Sequence, residues 1–444
     1  MEVTKALSEY IVTLKFSDLP KDVVEGAKLC FLDWLGVTLS GSKEPLTHIL
    51  AAVAEEQGGK PQATLIGRRR KTSLLHAALI NGSASHALDF DDVHMKMMGH
   101  PSAPILPAIL ALGEWKKASG EALIAAFIAG FEAECRVAAI VSPEHYLCGW
   151  HATGTIGHFG AAAACANLLR LTPSQTVHSL GIAGTQSSGL KQVFGTMCKP
   201  FHAGKAAMDG LLSALLAAKG FTSSIHMLEG EQGFSKVFST RMDPAKALDR
   251  LGEDYSIREV IFKRHASCFQ THPVIDGLLA LKEEQGLKAD QVDSVRLHVF
   301  PVTCDIAGKP NPQTGLEGKF SVSFCTALAL GDGDTSEESF VDSKVRDPKL
   351  VALREKVTFE PDPGLAPTQA RIQVRTRDGR VLEKLMDTLD LSKDREKMKR
   401  DLIRKFRGLS TPIIGMEKTE KLIAKISKLE KIQKVNTLTN LSKG

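Results

Sequence analysis

Apolar residues recur every three to four positions over most of the first 258 residues, the spacing of a helix with one buried face. In residues 20–40, Val23, Ala27, Cys30/Phe31 and Trp34 keep that period, with Pro20 in the first turn and Gly41 as the C-cap. Further helices are expected at 44–57, about 73–88, 104–118 and 120–141. The last of these, EALIAAFIAGFEAECRVAAIV, is apolar almost all round and should lie at the centre of a core. GWHATGTIGHFGAAAACANLLRL begins as a Gly-rich loop and turns helical near Thr155. A helix over about 174–188 leads into SSGLKQVFGTMCKPFHAGKAAMDG, a second loop followed by an Ala-rich helix to Lys219. GKPQATLIGRRRKTS reads as a loop with one short strand, and no other strand is expected before about residue 258.

After Lys263 the period changes. A helix over about 270–285 precedes DQVDSVRLHVF, where Val295, Leu297 and Val299 alternate as in a half-buried strand. KFSVSFCTALAL is helical, and ARIQVRTRDGRVLEKL alternates on both sides of Asp378-Gly379, a two-residue hairpin signal. From Asp394 the pattern is helical again, and the final KVNTLTNLSKG reads as frayed. The expected fold is mainly α: a large all-α domain, 1–259 completed by 397–444, and a smaller α+β domain at 260–396.

Composition narrows the class. The 444 residues are 43% hydrophobic and 24% charged, as in ordinary globular proteins, and the net charge is only +5. No concentrated basic face interleaved with aromatics is present, which argues against nucleic acid as partner. No apolar run reaches spanning length, so no membrane partner is expected. Eight scattered cysteines without a CxxC pair, and an N-terminus unlike a signal or transit peptide, point to a reducing compartment, the cytoplasm.

The chemistry concentrates in NGSASHALDFDDVHMKMMGHPSAPILP, which sets Asp89, Asp91 and Asp92 among His86, His94 and His100. Buried carboxylates need partners, and histidine titrates near neutrality, so this stretch is a proton-transfer or a metal site. Three more polar clusters interrupt apolar sequence: Trp150-His151, Lys199-Pro200-Phe201-His202, and Lys263-Arg264-His265-Ala266-Ser267-Cys268, with His272 beyond. Lysine, arginine and helix starts bind anions, so the inventory suits a substrate with two or three carboxylates and a base for the proton α to one of them. Plainer readings stand beside these: Asp91 and Asp92 as caps or arginine partners, His86 as core, His151 as a structural histidine, Cys268 as a buried thiol. The spacing matches no HExxH, EF-hand or Cys/His quartet, and neither a P-loop nor a strand-linked GxGxxG occurs, so no metal and no organic cofactor is expected.

DFDD followed by HPS, a loop histidine, GTMCKPFHAGKAA and KRHASC together resemble the MmgE/PrpD family over essentially the whole chain. That family includes 2-methylcitrate dehydratase, cis-aconitate decarboxylase and iminodisuccinate epimerase. The resemblance implies a helical domain built from both chain ends, an α+β lid domain, a homodimer, and a cofactor-free active site between the domains. It places active-site groups at Asp89, His100, His151, Lys199 and Lys263. Cys268 stands where the decarboxylase has histidine, an arrangement more like the epimerase branch, and Val93 stands where it has threonine. Arg264, His202, Val93 and His272 complete the expected substrate contacts. Lyase chemistry on a small di- or tricarboxylate is the expected activity, epimerisation with Cys268 as second acid/base the alternative, and a catalytically silent carboxylate-binding dimer the reading from another class.

Overall fold

The computed structural model describes residues 2–392 and 394–444. The helix Gly120–Val141 lies at the centre, buried on nearly every side as its all-round apolar sequence requires, and packs against Gly157–Leu169. Around this pair stand Val3–Thr13, Lys21–Gly41, Leu74–His86, Ser102–Lys116, Pro173–Gln186 and Cys198–Ala217. Local signals set their starts: Ser73 and Ser119 cap with their hydroxyls, and Thr172 and Gln175 close a capping box ahead of Pro173. Small residues let these helices approach closely. A Cβ added at Gly204 would come within 2.1 Å of the Leu79 carbonyl oxygen, so Cys198–Ala217 and Leu74–His86 meet backbone to backbone.

The stretch 59–73, expected as a loop with one short strand, carries two that pair as a small antiparallel hairpin, β1 (Ala63–Leu65) with β2 (Arg70–Thr72). The C-terminal unit carries a four-stranded mixed sheet of order β4-β3-β5-β6: β3 (Val292–Val299), β4 (Val357–Pro361), β5 (Gln369–Thr376) and β6 (Val381–Asp387). β3 pairs in parallel with β4 and antiparallel with β5. His272–Gln285 packs on β5 and β6, and Val322–Leu330 packs in turn on His272–Gln285. The β5–β6 turn is one residue longer than the Asp-Gly signal suggests. Thr376 N–H donates to Arg380 O across three loop residues, and Gly379 takes the left-handed φ of 88° that this longer turn needs.

One apolar cluster gathers the N-terminal helices with Leu402, Phe406, Leu422, Ile426 and Leu438 from the C-terminus. A second joins the sheet, Val274, Phe324 and Leu328 to Leu88 and Phe90. The final segment is packed and not frayed. Asn436–Leu441 is helical, Val435 N–H donates to Ala118 O (2.9 Å), and Ser442 O accepts from Gly67 N–H (2.8 Å). Among the described residues no helix is long and apolar enough to cross a membrane.

Candidate active site

The acidic stretch leaves the C-terminus of Leu74–His86 and runs between the two apolar clusters, with Leu88 and Phe90 anchored in the second. Its backbone has no ladder to join, so its buried carbonyls need donors from elsewhere. Three lysines supply them, Lys263 and Lys319 buried and Lys405 half-buried. Lys319 Nζ donates to Leu88 O, Lys263 Nζ to Asp89 O (2.8 Å) and Lys405 Nζ to Phe90 O (2.6 Å). Lys405 also pairs with Asp33 Oδ1 at 2.7 Å.

The three carboxylates then do three different things. Asp89, held at the left-handed φ of 51°, presents Oδ1 to Lys263 Nζ at 2.7 Å and Lys199 Nζ at 2.9 Å. Burial alone would raise its pKa, but the two ammoniums hold it well below the usual carboxylate range. Asp91 receives imidazoles, with His86 Nδ1 at 2.8 Å and His100 Nδ1 at 3.3 Å from Oδ2. Asp92 faces neither. It is pushed up to about 8 by burial and by Asp33 and Asp91, and it accepts from the Ser102 hydroxyl and backbone N–H.

The imidazoles form a chain in which His86 and His151 are stacked and the other neighbours are tilted. Ring centroids lie 4.5 Å apart for His100 and His86, 5.7 Å for His86 and His151, and 5.3 Å for His151 and His202. His151 Nδ1 is 3.0 Å from His202 Nδ1, so one of the two donates and the Nε2 of His151 is left for other work. Burial, and after it Lys199, hold His151 well below an ordinary histidine, and burial brings His86 to about 4. Both rings are neutral at physiological pH.

One cavity of about 380 Å³ is lined by Asp89, His100, His151, Lys199, Lys263, Cys268 and Val93. Three other expected contacts stand apart from it. The Arg264 guanidinium is drawn to buried Asp276 (Nε–Oδ1 3.4 Å), which His265 Nε2 also meets at 2.9 Å. His272 is buried at the start of its helix, with Nε2 3.4 Å from Ser267 O. His202 reaches the cavity only through His151. Lys199 sits in the first turn of Cys198–Ala217 and not in a preceding loop, and Pro200 suits that turn because its missing N–H has no helical partner there. The Cys268 thiol is pushed up by burial, and next by Asp89, so it stands protonated.

His86, Asp89, Asp91 and His100 each place a ligand atom within 4.8 Å of the others, a geometry that could enclose a metal ion. Asp89 Oδ1 already carries two ammoniums, which give the site the positive charge a cation would bring. Sequence reasoning missed Lys319, Lys405 and Asp33 as supports. Asp33 was visible as a lone acid in the apolar run FLDWLGV; nothing local marks the two lysines.

Residues 5–247 match the MmgE/PrpD N-terminal domain and residues 265–431 the MmgE/PrpD C-terminal domain. The chain belongs to the MmgE/PrpD family. Among its relatives is cis-aconitate decarboxylase from Homo sapiens, 27% identical over 100% of this chain and 95% of that protein. The cis-aconitate decarboxylase of Aspergillus terreus is 29% identical over 85% of this chain and 83% of that protein. The 2-methylcitrate dehydratase of Escherichia coli is 22% identical over 80% and 76%. The named family members are lyases, which agrees with the reaction class expected from the motifs.

Proposed function

We propose that the chain is a lyase that needs neither metal nor organic cofactor and acts at the carbon α to a carboxylate of a small di- or tricarboxylate. The observation that carries this reading is the convergence of Lys199 and Lys263 on Asp89 in a cavity that His100 and His151 also line. A substrate carboxylate entering beside the lysines shares their charge with Asp89, and negative charge developing on that carboxylate as an enediolate is stabilised there. With Nδ1–H donated to His202, neutral His151 has a basic Nε2 for the α-proton, and His100, set between Asp89 and Asp91, serves as the second proton carrier. In dehydration the Cα–H bond breaks first, its proton goes to imidazole, and the β-hydroxyl leaves as water with a proton returned by the acid. In decarboxylation the C–CO₂ bond breaks, its electron pair remains on carbon, and the acid protonates that carbon.

Cys268 supports a second reading, because it lines the same cavity and is a proton donor at neutral pH. Paired with a histidine on the other face of a stereocentre, it would make an epimerase.

Proton NMR in D₂O, with cis-aconitate, citrate, 2-methylcitrate, iminodisuccinate and tartrate-like acids beside Lys199→Ala, separates the outcomes. A new alkene signal means dehydration, loss of a carboxylate carbon means decarboxylation, and α-deuterium alone means epimerisation. Turnover undiminished in Lys199→Ala refutes the site.

A further inference from the structure

We infer that Tyr146 and Gln270 form a subsite for a second carboxylate of the substrate, held there by neutral hydrogen-bond donors and not by a cation of its own. This rests on the di- or tricarboxylate reading above and says where the carboxylate remote from the lysines is bound.

Beside the groups that the proposed reaction uses, the described residues of the cavity wall include one phenol and one amide, Tyr146 and Gln270. Tyr146 stands on the one-turn helix Glu144–Leu147 and is 8% exposed, yet its hydroxyl bonds to no described residue. A buried hydroxyl in that state carries the cost of lost hydration until a ligand meets it. Burial, and after it the nearness of Cys268 and Asp89, push the phenol up, so it meets a substrate as a neutral O–H. Lys191 Nζ lies 4.1 Å from the centre of the Tyr146 ring, and a cation there draws electron density from the phenol and strengthens its hydroxyl as a donor.

Gln270 is oriented by Thr303. It lies two residues beyond Cys268 in the one-turn helix Phe269–Thr271, and its Oε1 accepts from the Thr303 hydroxyl at 3.0 Å. With the carbonyl oxygen engaged, the Nε2 hydrogens are what this side chain offers the cavity. Two uncharged donors suit a group that has two oxygens and only accepts, which is a carboxylate, and hydrogen bonds to an ionised acceptor are about twice as strong as neutral ones. The nearby cations are spent elsewhere. Lys199 and Lys263 both meet Asp89 Oδ1, within 2.9 Å, which gathers their charge at one point of the wall. Arg264 is committed to Asp276.

Calorimetric titration of the intact protein tests this with saturated acids that differ by one carboxylate: butanedioate and pentanedioate against butanoate and pentanoate. In the unaltered protein the diacids should bind the more tightly. Tyr146→Phe keeps the ring beside Lys191 and removes the hydroxyl alone; it should weaken diacid binding about tenfold and leave the monoacids within about twofold. Gln270→Met keeps the length of the side chain, removes the donor, and should act in the same direction. Diacids that bind no better than monoacids in the unaltered protein overturn the inference, as do variants that weaken both classes alike or neither. Because these acids have no β-hydroxyl to lose and no activated carboxylate to shed, a failure of the lyase reading would show in the NMR turnover assay and leave the binding series intact.

Discussion

Replacing Asp89 by Asn tests the centre of the site directly. The carboxylate holds two ammoniums at 2.7 and 2.9 Å and is 3% exposed, so its loss leaves two like charges buried side by side. Removing one partner of a buried ion pair typically costs about 3–5 kcal/mol, chiefly because the remaining charge is left uncompensated. Backbone strain adds little here, since Asn tolerates the left-handed φ of 51° that Asp89 adopts. Asp89→Ala meets the same electrostatic loss and adds about 1–2 kcal/mol for a Cβ in left-handed backbone without a polar side chain to offset it. Urea unfolding followed by circular dichroism should therefore rank the unaltered protein above Asp89→Asn, and Asp89→Asn above Asp89→Ala. Added sulfate or acetate should restore part of the Asn variant's stability, because an anion that binds the freed lysines binds only the folded state. An Asp89→Asn protein that unfolds at the unaltered urea midpoint, or gains nothing from anions, would refute the lysine–carboxylate account.

Four further outcomes follow from other contacts. His94 is held at about 4 by burial, with Nε2–H donated to Ser256 O and Nδ1 accepting from Met97 N–H; between that value and about 6.5 the unfolded chain binds a proton that the folded chain refuses. Stability should thus fall by on the order of 3 kcal/mol as pH drops through that window, and His94→Gln should show a flatter pH–stability curve. Gly204→Ala forces a methyl against the Leu79 carbonyl and should cost about 1–3 kcal/mol while lowering turnover, since it displaces the helix that carries Lys199; unchanged melting would contradict the close approach. Lys319→Met leaves Leu88 O without its donor and should cost about 1–3 kcal/mol in unfolding, with KM nearly unchanged because Lys319 does not line the cavity. Exhaustive dialysis against a chelator should leave turnover intact, and activity regained only on adding a divalent ion would assign His86, Asp89, Asp91 and His100 to a metal.

The helices were legible because burial of one face imprints a period on the sequence, and caps such as Ser73, Ser119 and Thr172 mark where that period starts. β4 was not, because VTFEP is a five-residue edge strand whose alternation rests on two half-buried residues alone, Val357 and Phe359, before Pro361 ends it. The C-terminal KVNTLTNLSKG misleads through its polar composition: only Val435 and Leu438 are apolar anchors with full burial, and the rest of its fixation is backbone hydrogen bonding to Ala118 and Gly67. Within the site, residue types and spacing marked the acids, imidazoles and lysines. Their pairing was not marked, since Lys263 and Asp89 lie 174 residues apart and no local pattern encodes such a contact. Arg264 shows the limit most clearly. Sequence places it beside Lys263, yet a buried acid at Asp276 claims its guanidinium.

The three lysines on successive carbonyls hold the acidic stretch in place. Lys263 makes two bonds to Asp89, one to the main-chain oxygen and one to the carboxylate. In the proposed reaction a substrate anion would compete for the second while the first continues to hold the backbone. Lys319 and Lys405 hold the carbonyls on either side without lining the cavity. Lys405 also donates to Lys263 O at 3.1 Å, tying the C-terminal helix Arg395–Ile414 to both the acidic stretch and the segment that carries Lys263. The outer lysines hold the backbone around Asp89, and the two lysines that meet its Oδ1 are the ones that line the cavity. The left-handed turn at Asp89 is what permits the arrangement, because it brings a carbonyl and a carboxylate of one residue within reach of one ammonium.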